Sequence, residues 1–156
     1  RHFGAPAANK QIAVLGAGGA AAAVLTAIER WDGARVQLYG RSRARANTLA
    51  ARFSRFTTAA ATVTAAVEYA SLVINATPVG LHGEDYPVEP SSLAPNTDAF
   101  DLTYRRTETP WVLACRARGL RAADGLSMVV EQGALAFERW FGLIPDRTVM
   151  WKAVGR

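Results

Sequence analysis

The sequence has few of the residues that build disulfides and metal sites. Its 156 residues include one cysteine, Cys115, two histidines and two methionines. One cysteine excludes an internal disulfide and any site that holds a metal through several cysteines, so we expect no metal site. Cys115 falls in a helical segment, where a packed core thiol is the favoured interpretation and a reactive thiol the alternative.

Long apolar runs are also lacking. No segment is apolar over enough residues to span a membrane, and no charged stretch followed by an apolar one resembles a signal peptide. We therefore expect a cytoplasmic protein that does not bind membranes. The length suits one domain, residues 1–156, with a good core, and it is short for a two-domain enzyme.

Lysine is scarce and arginine is abundant. Only two of the 18 basic residues are lysines, Lys10 and Lys152, and the net charge is +5. Such a charge is typical of proteins that bind nucleic acid. Here the arginines are spread over the whole length and accompany no zinc-finger or basic-zipper pattern, so we expect no nucleic-acid partner.

Glycines are concentrated near the start, in the segment GAGGAA at residues 16–21. An apolar run over Gln11 to Leu15 predicts a buried strand before it, and Ala20 to Ile28 predicts a helix after it. This strand-turn-helix context is the one that the dinucleotide-binding fingerprint requires. Gly16 permits a tight turn and Gly18 lets the backbone approach a pyrophosphate, while the helix N-terminus supplies amide donors.

Arginines stand where the second predicted strand ends. That strand covers Arg35 to Tyr39, and a helix is predicted over Arg43 to Phe53 with Ser42 as its N-cap. An NAD-binding protein commonly places Asp or Glu here to hold the ribose 2'-hydroxyl. No acidic residue lies between Asp32 and Glu68, and the segment carries three arginines instead: Arg41, Arg43 and Arg45.

The position of these arginines favours a phosphate ligand. Cations are unfavourable at a helix N-terminus by roughly 0.3–1 kcal/mol each, so a solvated basic turn explains them poorly. A bound 2'-phosphate would offset the repulsion. The sequence therefore favours NADP(H) as the cofactor, with an ordinary basic turn as the alternative.

Alternating strand and helix signals predict an α/β fold with a doubly wound, mostly parallel sheet and helices on both faces. Further strands are predicted over Phe56 to Thr62, Ser71 to Asn75, Asp98 to Leu102 and Leu120 to Ala123. Further helices are predicted from Pro110 to near Gly119, from Ser127 to Phe141 and from Asp146 to Val154. The loop over residues 76–96 is of a length that is usually functional or mobile.

Three clusters follow predicted strands at the sheet edge where open α/β sheets bind ligands. Asn75, Ala76 and Thr77 either line a cofactor groove or form a turn stabilised by Asn and Pro, and the residues favour neither. Tyr104 is either an ordinary half-buried surface tyrosine or a phenol at the mouth of the cleft. Met128 and Gln132 share a helix face, either as core filling and solvated amide or beside a nicotinamide ring and substrate hydroxyls.

Taken together and in this order, six segments resemble the nucleotide-binding domain of the shikimate dehydrogenase family. They are GAGGAA at 16–21, GRSRAR at 40–45, INATPVGL at 74–81, DLTY at 101–104, TP at 109–110 and DGLSMVVEQGALAFERW at 124–140. The resemblance covers residues 10–154. It implies a Rossmann-like fold and the NADP-dependent interconversion of 3-dehydroshikimate and shikimate.

The resemblance also implies roles for individual residues. The arginines matching Arg41 and Arg45 hold the 2'-phosphate, and the residues matching Tyr104 and Gln132 touch shikimate. Leu102, Gly125 and Met128 match positions that line the nicotinamide site. The expected cofactor-binding residues are Gly16, Ala17, Gly18, Gly19, Ala20, Arg41, Ser42, Arg45, Asn75, Ala76, Thr77, Leu102, Gly125 and Met128.

No catalytic residue is expected in this chain. In the family, a Lys-Asp pair from an N-terminal substrate domain manages the hydroxyl proton, and hydride transfer from an alcohol needs such a group. Lys10 is predicted at the wrong edge of the sheet and Lys152 in the last helix. The sequence starts at Arg1 without an initiator methionine, so we expect the cofactor-binding half of a shikimate dehydrogenase, inactive alone and acting on shikimate or 3-dehydroshikimate with the missing domain.

Two alternatives stay open. One is a stand-alone module that senses the NADP(H) redox state or carries the cofactor to a partner. The other is part of an enzyme that acts on quinate or an aminated analogue. We also expect some self-association through apolar residues near the end, namely Trp140, Phe141, Met150 and Trp151, because large apolar patches rarely stay bare.

Overall fold

A computed structural model describes residues 8–155, so the prediction that concerns Arg1 lies outside the described residues. The strands are β1 Gln11–Leu15, β2 Arg35–Tyr39, β3 Thr57–Ala59, β4 Leu72–Asn75, β5 Asp98–Asp101 and β6 Ala122–Asp124. The helices are α1 Gly19–Ile28, α2 Arg43–Arg52, α3 Val63–Val67, α4 Pro110–Ala117, α5 Leu126–Phe141 and α6 Arg147–Ala153.

The six strands form one parallel sheet in the order β3-β2-β1-β4-β5-β6. Alternate residues of β1 enter two different cores. Ile12 and Val14 pack with α1 and α2 on one face. Ala13 and Leu15 pack on the other face with α3 and α4, around the fully buried Trp111. The predicted doubly wound sheet with helices on both faces is therefore confirmed.

The strand order places the candidate site. From β1 the chain proceeds outward through β2 to β3, then returns to the other side of β1 as β4 and continues to β6. The reversal between β1 and β4 opens a crevice outside their carboxyl ends, which is the usual place for a ligand in this architecture. The loops after β1, β2, β4, β5 and β6 all meet at that edge.

The strand predicted over Phe56 to Thr62 was wrong in its second half. Only Thr57–Ala59 is a strand, and the chain then enters the unpredicted helix α3. The Thr62 hydroxyl accepts a hydrogen bond from the Ala65 amide at 3.1 Å, which caps this helix and ends the extended segment.

The last strand is displaced from its predicted position. It covers Ala122–Asp124. Leu120 lies in the turn that closes α4 after Ala117, and its amide donates to the Cys115 carbonyl oxygen at 3.1 Å. Gly119 has a φ of 77°, in the left-handed region where glycine commonly ends a helix. The shift places Asp124 opposite Asp101 on β5.

Candidate functional site

The glycine turn after β1 is held by backbone contacts to two other strands. Gly16 has a φ of 122°, and its amide donates to the Tyr39 carbonyl oxygen at the end of β2 over 2.7 Å. A Cβ added at Gly16 would lie 2.5 Å from the carbonyl oxygen of Ala76, which follows β4. Only glycine fits here, and it brings the ends of β1, β2 and β4 into contact.

The outer side of the same turn is open. Gly18 is the N-cap of α1 and Gly19 its first residue, and a Cβ at either position would have no neighbouring atom within 4 Å. Gly18, Gly19 and Ala20 are exposed, and Ala17 is half-buried. The first amides of a helix have no partner within the helix, so this N-terminus offers donors to an anion in the open space. These residues fit a dinucleotide pyrophosphate.

The arginine segment lies directly beside the glycine turn. A Cβ at Gly40 would come 2.8 Å from the Cβ of Ala17, so the two segments touch through residues with little or no side chain. Ser42 caps α2 as predicted, since its Oγ accepts a hydrogen bond from the Arg45 amide at 3.4 Å. The segment is therefore fixed in place by its backbone and cap.

The three arginines of this segment have no acidic counterpart. Arg41, Arg43 and Arg45 are exposed, and the first turn of α2 contains no acidic residue. Within residues 8–155 no carboxylate lies close enough to form an ion pair with any of them. Their charge adds to the positive end of the helix dipole, which makes this the natural place for a phosphate beside the glycine turn.

The ends of β4 and β5 are joined by a buried hydrogen-bond network. Asn75 Nδ2 donates to Asp101 Oδ1 at 2.8 Å and to the Val79 carbonyl oxygen at 3.1 Å. Asn75 Oδ1 accepts from the amide and the hydroxyl of Thr77, at 3.0 and 2.6 Å. These side chains thus form the turn predicted as one of two alternatives, and contact of this segment with a cofactor stays a prediction.

Asp101 is the centre of that network and has no solvent exposure. Its Oδ1 also accepts from the Thr103 amide and hydroxyl, and its Oδ2 accepts from the Thr109 hydroxyl at 2.8 Å. Burial raises the pKa of this carboxyl above its usual value, while the hydrogen bonds from Thr103, Thr109 and Asn75 act in the opposite direction. The carboxyl group holds the loops at the site together.

The ends of β5 and β6 are pressed together by a second glycine contact. A Cβ at Gly125 would overlap the carbonyl oxygen of Leu102, and the Gly125 amide donates to the Thr103 carbonyl oxygen at 3.0 Å. Met128, in the first turn of α5, is half-buried, and the buried residues of this helix are Leu126, Val130 and Ala134. Leu102, Gly125 and Met128 thus gather at one end of the sheet.

The two predicted substrate residues are exposed. Tyr104 is 42% exposed just after β5, and Gln132 is exposed one turn after Met128 on α5. Both therefore have side chains available to a ligand at this edge. Their contact with a substrate stays a prediction.

Lys10 lies at the opposite edge of the sheet from these residues. Lys10 precedes β1 at the amino edge of the sheet, where its Nζ is 3.4 Å from Asp98 Oδ2. Arg121 contacts the same carboxylate at 2.8 Å. Lys152 is exposed on α6.

Sequence reasoning missed three residues that shape the site. Thr103 and Thr109 complete the network around Asp101. Arg105, one residue beyond Tyr104, donates to the loop that follows β4. The TP pair at 109–110 was a signal for Thr109, because proline at the first helical position leaves the preceding residue as the cap. No local pattern indicated Arg105.

No helix among residues 8–155 is long and apolar enough to cross a membrane. In the same part of the chain, no three of its histidine, cysteine, aspartate and glutamate side chains form a group suited to a metal ion.

Comparison with known proteins agrees with this geometry. Residues 125–154 match the family model described as the shikimate 5'-dehydrogenase C-terminal domain. The shikimate dehydrogenase (NADP(+)) of Methanocella arvoryzae is 40% identical over 155 residues, which cover 96% of this chain. The chain is a C-terminal domain of the shikimate dehydrogenase family.

Two solved structures of family members have the same fold. The shikimate dehydrogenase of Aquifex aeolicus superposes with a TM-score of 0.85 at 29% identity, over 96% of this chain and 55% of that one. The enzyme of Thermus thermophilus, solved in complex with NADP(H) and shikimate, gives 0.79 at 36% identity over 94% and 54%. This chain spans 57% of the Methanocella relative, so it corresponds to about half of a family member.

Proposed function

We propose that this chain is the NADP(H)-binding domain of a shikimate dehydrogenase, an enzyme that interconverts 3-dehydroshikimate and shikimate. One observation carries the proposal: Arg41 and Arg45, which are exposed and have no acidic partner within residues 8–155, stand beside the open glycine turn at Gly18 and Gly19. The names of the relatives and the NADP(H) and shikimate complex of the Thermus enzyme support it.

Different residues at this edge bind different parts of the dinucleotide. The amides of the glycine turn bind the pyrophosphate, and Arg41 and Arg45 bind the 2'-phosphate. The other half of the dinucleotide then extends over the ends of β4, β5 and β6, against Leu102, Gly125 and Met128. When bound, NADPH supplies the hydride that reduces the substrate carbonyl.

The substrate is oriented from the same edge but receives its proton from elsewhere. Tyr104 and Gln132 present a hydroxyl and an amide that hydrogen-bond to substrate hydroxyls. The alcohol proton needs an acid or base within hydrogen-bond reach, and Lys10 is held at the opposite edge by Asp98. We therefore propose that the N-terminal domain of the family supplies this group and that the chain alone does not turn over shikimate.

A chimeric enzyme tests the proposal. The N-terminal half of the Methanocella relative is joined to this chain, and NADPH formation is followed with shikimate and with quinate as substrates. Activity with shikimate is expected for the chimera and not for the chain alone. The Arg41→Ala/Arg45→Ala chimera is the control, and it should lose its preference for NADP+ over NAD+.

The alternatives give different results. A chimera that oxidises quinate faster than shikimate would show an enzyme for a related substrate. A folded chimera that binds NADP+ and oxidises neither compound would contradict a dehydrogenase role and favour the cofactor-sensing module.

The chain also exposes apolar surface near its end, and we propose that it self-associates there. Trp140 is 76% exposed and Ile144 83%, whereas Met150 and Trp151 are half-buried. The part that Met150 and Trp151 play in this surface stays a prediction. Sedimentation at increasing concentration should show association that Ile144→Glu reduces. We further propose a cytoplasmic location, which fractionation of the source cells would test.

A further inference from the structure

Arg105 fastens the loop after β4 to the segment after β5. Its Nε donates to the carbonyl oxygens of Gly80 and Leu81, at 2.8 and 3.2 Å. Its two terminal nitrogens donate to the Gly83 carbonyl oxygen and to Glu84 Oε1, the latter at 3.1 Å. The side chain is only 21% exposed. One largely buried guanidinium group thus contacts four residues of the same loop.

The loop is held from its inner side as well. The Val79 carbonyl oxygen accepts from Asn75 Nδ2 at 3.1 Å. Gly80 is buried with a φ of 87°, and a Cβ there would be 3.9 Å from both Asp101 Oδ2 and Thr103 Oγ1. Residues 79–81 thus lie between the Asp101 network and the Arg105 side chain.

These contacts lead to the cofactor crevice. The same loop begins with Ala76, whose carbonyl oxygen packs against Gly16 of the glycine turn. At the other end, Arg105 directly follows Tyr104 in the chain. A guanidinium group binds several carbonyl oxygens at fixed angles because it is planar and always charged. Arg105 therefore ties the loop after β4 to the segment after β5 beside the crevice.

We infer that Arg105 is a positioning residue for the nicotinamide half of the cofactor. This inference rests on the proposed function, which places that half over the ends of β4, β5 and β6. The adenosine half lies over β1 and β2, where no contact of Arg105 reaches. Loss of Arg105 should consequently weaken binding of the whole dinucleotide and leave binding of its adenosine half unchanged.

The test compares two ligands, NADP+ and adenosine 2',5'-bisphosphate, which has the 2'-phosphate but no nicotinamide. Titration calorimetry of the chain with Arg105→Ala should give about tenfold weaker NADP+ binding, with adenosine 2',5'-bisphosphate within about twofold of the unsubstituted chain. Hydrogen exchange of the amides at 79–84 should become faster in the same variant.

Two control variants distinguish the loss of the Arg105 hydrogen bonds from the loss of its charge and from a general loss of stability. Arg106→Ala removes the same charge from the next position, where the exposed side chain has no hydrogen bond within residues 8–155, and it should leave both affinities unchanged. Arg105→Lys keeps the charge without the planar fork, so it should lose most of the NADP+ affinity that Arg105→Ala loses. The lysine variant also provides the comparison if the alanine variant does not fold.

The outcomes are distinct. Equal weakening of both ligands would mean that Arg105 only stabilises the fold and would overturn the inference. Unchanged affinity for both ligands would overturn it too. An unsubstituted chain that binds neither ligand would contradict the proposed function itself, and the inference would fall with it.

Discussion

Asn75 donates a 2.8 Å hydrogen bond to Asp101, and this bond joins the carboxyl ends of β4 and β5 beneath the candidate site. Both side chains are fully buried. Their remaining hydrogen bonds reach the loop after β4, the loop after β5 and the start of α4. The β4 and β5 side of the site is therefore held by one polar centre.

Removal of the Asp101 carboxyl should destabilise the chain. Asp101→Ala leaves buried donors of Asn75, Thr103 and Thr109 without an acceptor, at a cost of about 3 kcal/mol in the free energy of unfolding. Asp101→Asn should cost less, because its amide oxygen still accepts and the Thr109 hydroxyl can turn to accept from the new NH2 group. Urea unfolding measures both, and equal costs would contradict this explanation.

The same residue should give stability a specific pH dependence. Burial raises the pKa of Asp101 above its unfolded value, so the folded state binds more protons between the two values. Its contribution to stability is fully present below the unfolded pKa and is lost as pH rises through the folded pKa. The quantity to follow is the unfolding free energy of the unsubstituted chain minus that of the Asp101→Asn variant. This difference should fall with rising pH and then level off. A difference that rises would contradict the raised pKa.

Substitution by alanine should reduce the free energy of unfolding by different amounts at two glycines of the same turn. Gly16→Ala should cost more than about 3 kcal/mol, because it combines a φ of 122° with a Cβ only 2.5 Å from the Ala76 oxygen. Gly18→Ala should cost less than about 1 kcal/mol, because φ is -105° and the surrounding space is open. It should still weaken NADP+ binding about tenfold by keeping phosphate from the backbone. Denaturation and calorimetry on both variants check this.

Cys115 should be chemically inert in the folded chain. The side chain is fully buried and burial raises its pKa to about 12. Since the thiolate is the reactive form, a disulfide reagent near pH 8 should react about a thousandfold more slowly than with the unfolded chain. Rapid labelling under native conditions would show that α4 opens or that the thiol is accessible.

Local sequence patterns predicted those elements that local interactions determine. The bounds of β1 and β2 matched. The apolar run of β1 is typical of a buried parallel strand, and β2 alternates between polar residues and the buried Val36 and Leu38. The Ser42 and Asp146 caps were confirmed by bonds to amides two or three residues away. Helix α3 was missed because the alanines before it suit a strand or a helix and only Thr62 marks its start.

Local sequence patterns could not predict the contacts between distant segments. Asn75 and Asp101 are 26 residues apart, and their bond depends on β4 and β5 being neighbours in the sheet. Arg105 gave no signal, because an arginine after a strand is usually solvated and most of its partners are backbone carbonyl oxygens 22 to 25 positions earlier. The position of the site at the carboxyl edge could be predicted, whereas the side chains that hold it together required the fold.

The most direct measurement of the central proposal is the ratio of NADP+ to NAD+ affinity, by titration calorimetry at low salt. The chain should bind NADP+ at least about tenfold tighter than NAD+, which corresponds to about 1.4 kcal/mol. Arg41→Ala/Arg45→Ala should abolish that difference while leaving the weaker NAD+ binding in place. Equal affinities in the unsubstituted chain, or a preference that survives the double substitution, would contradict the assignment of these arginines to the 2'-phosphate.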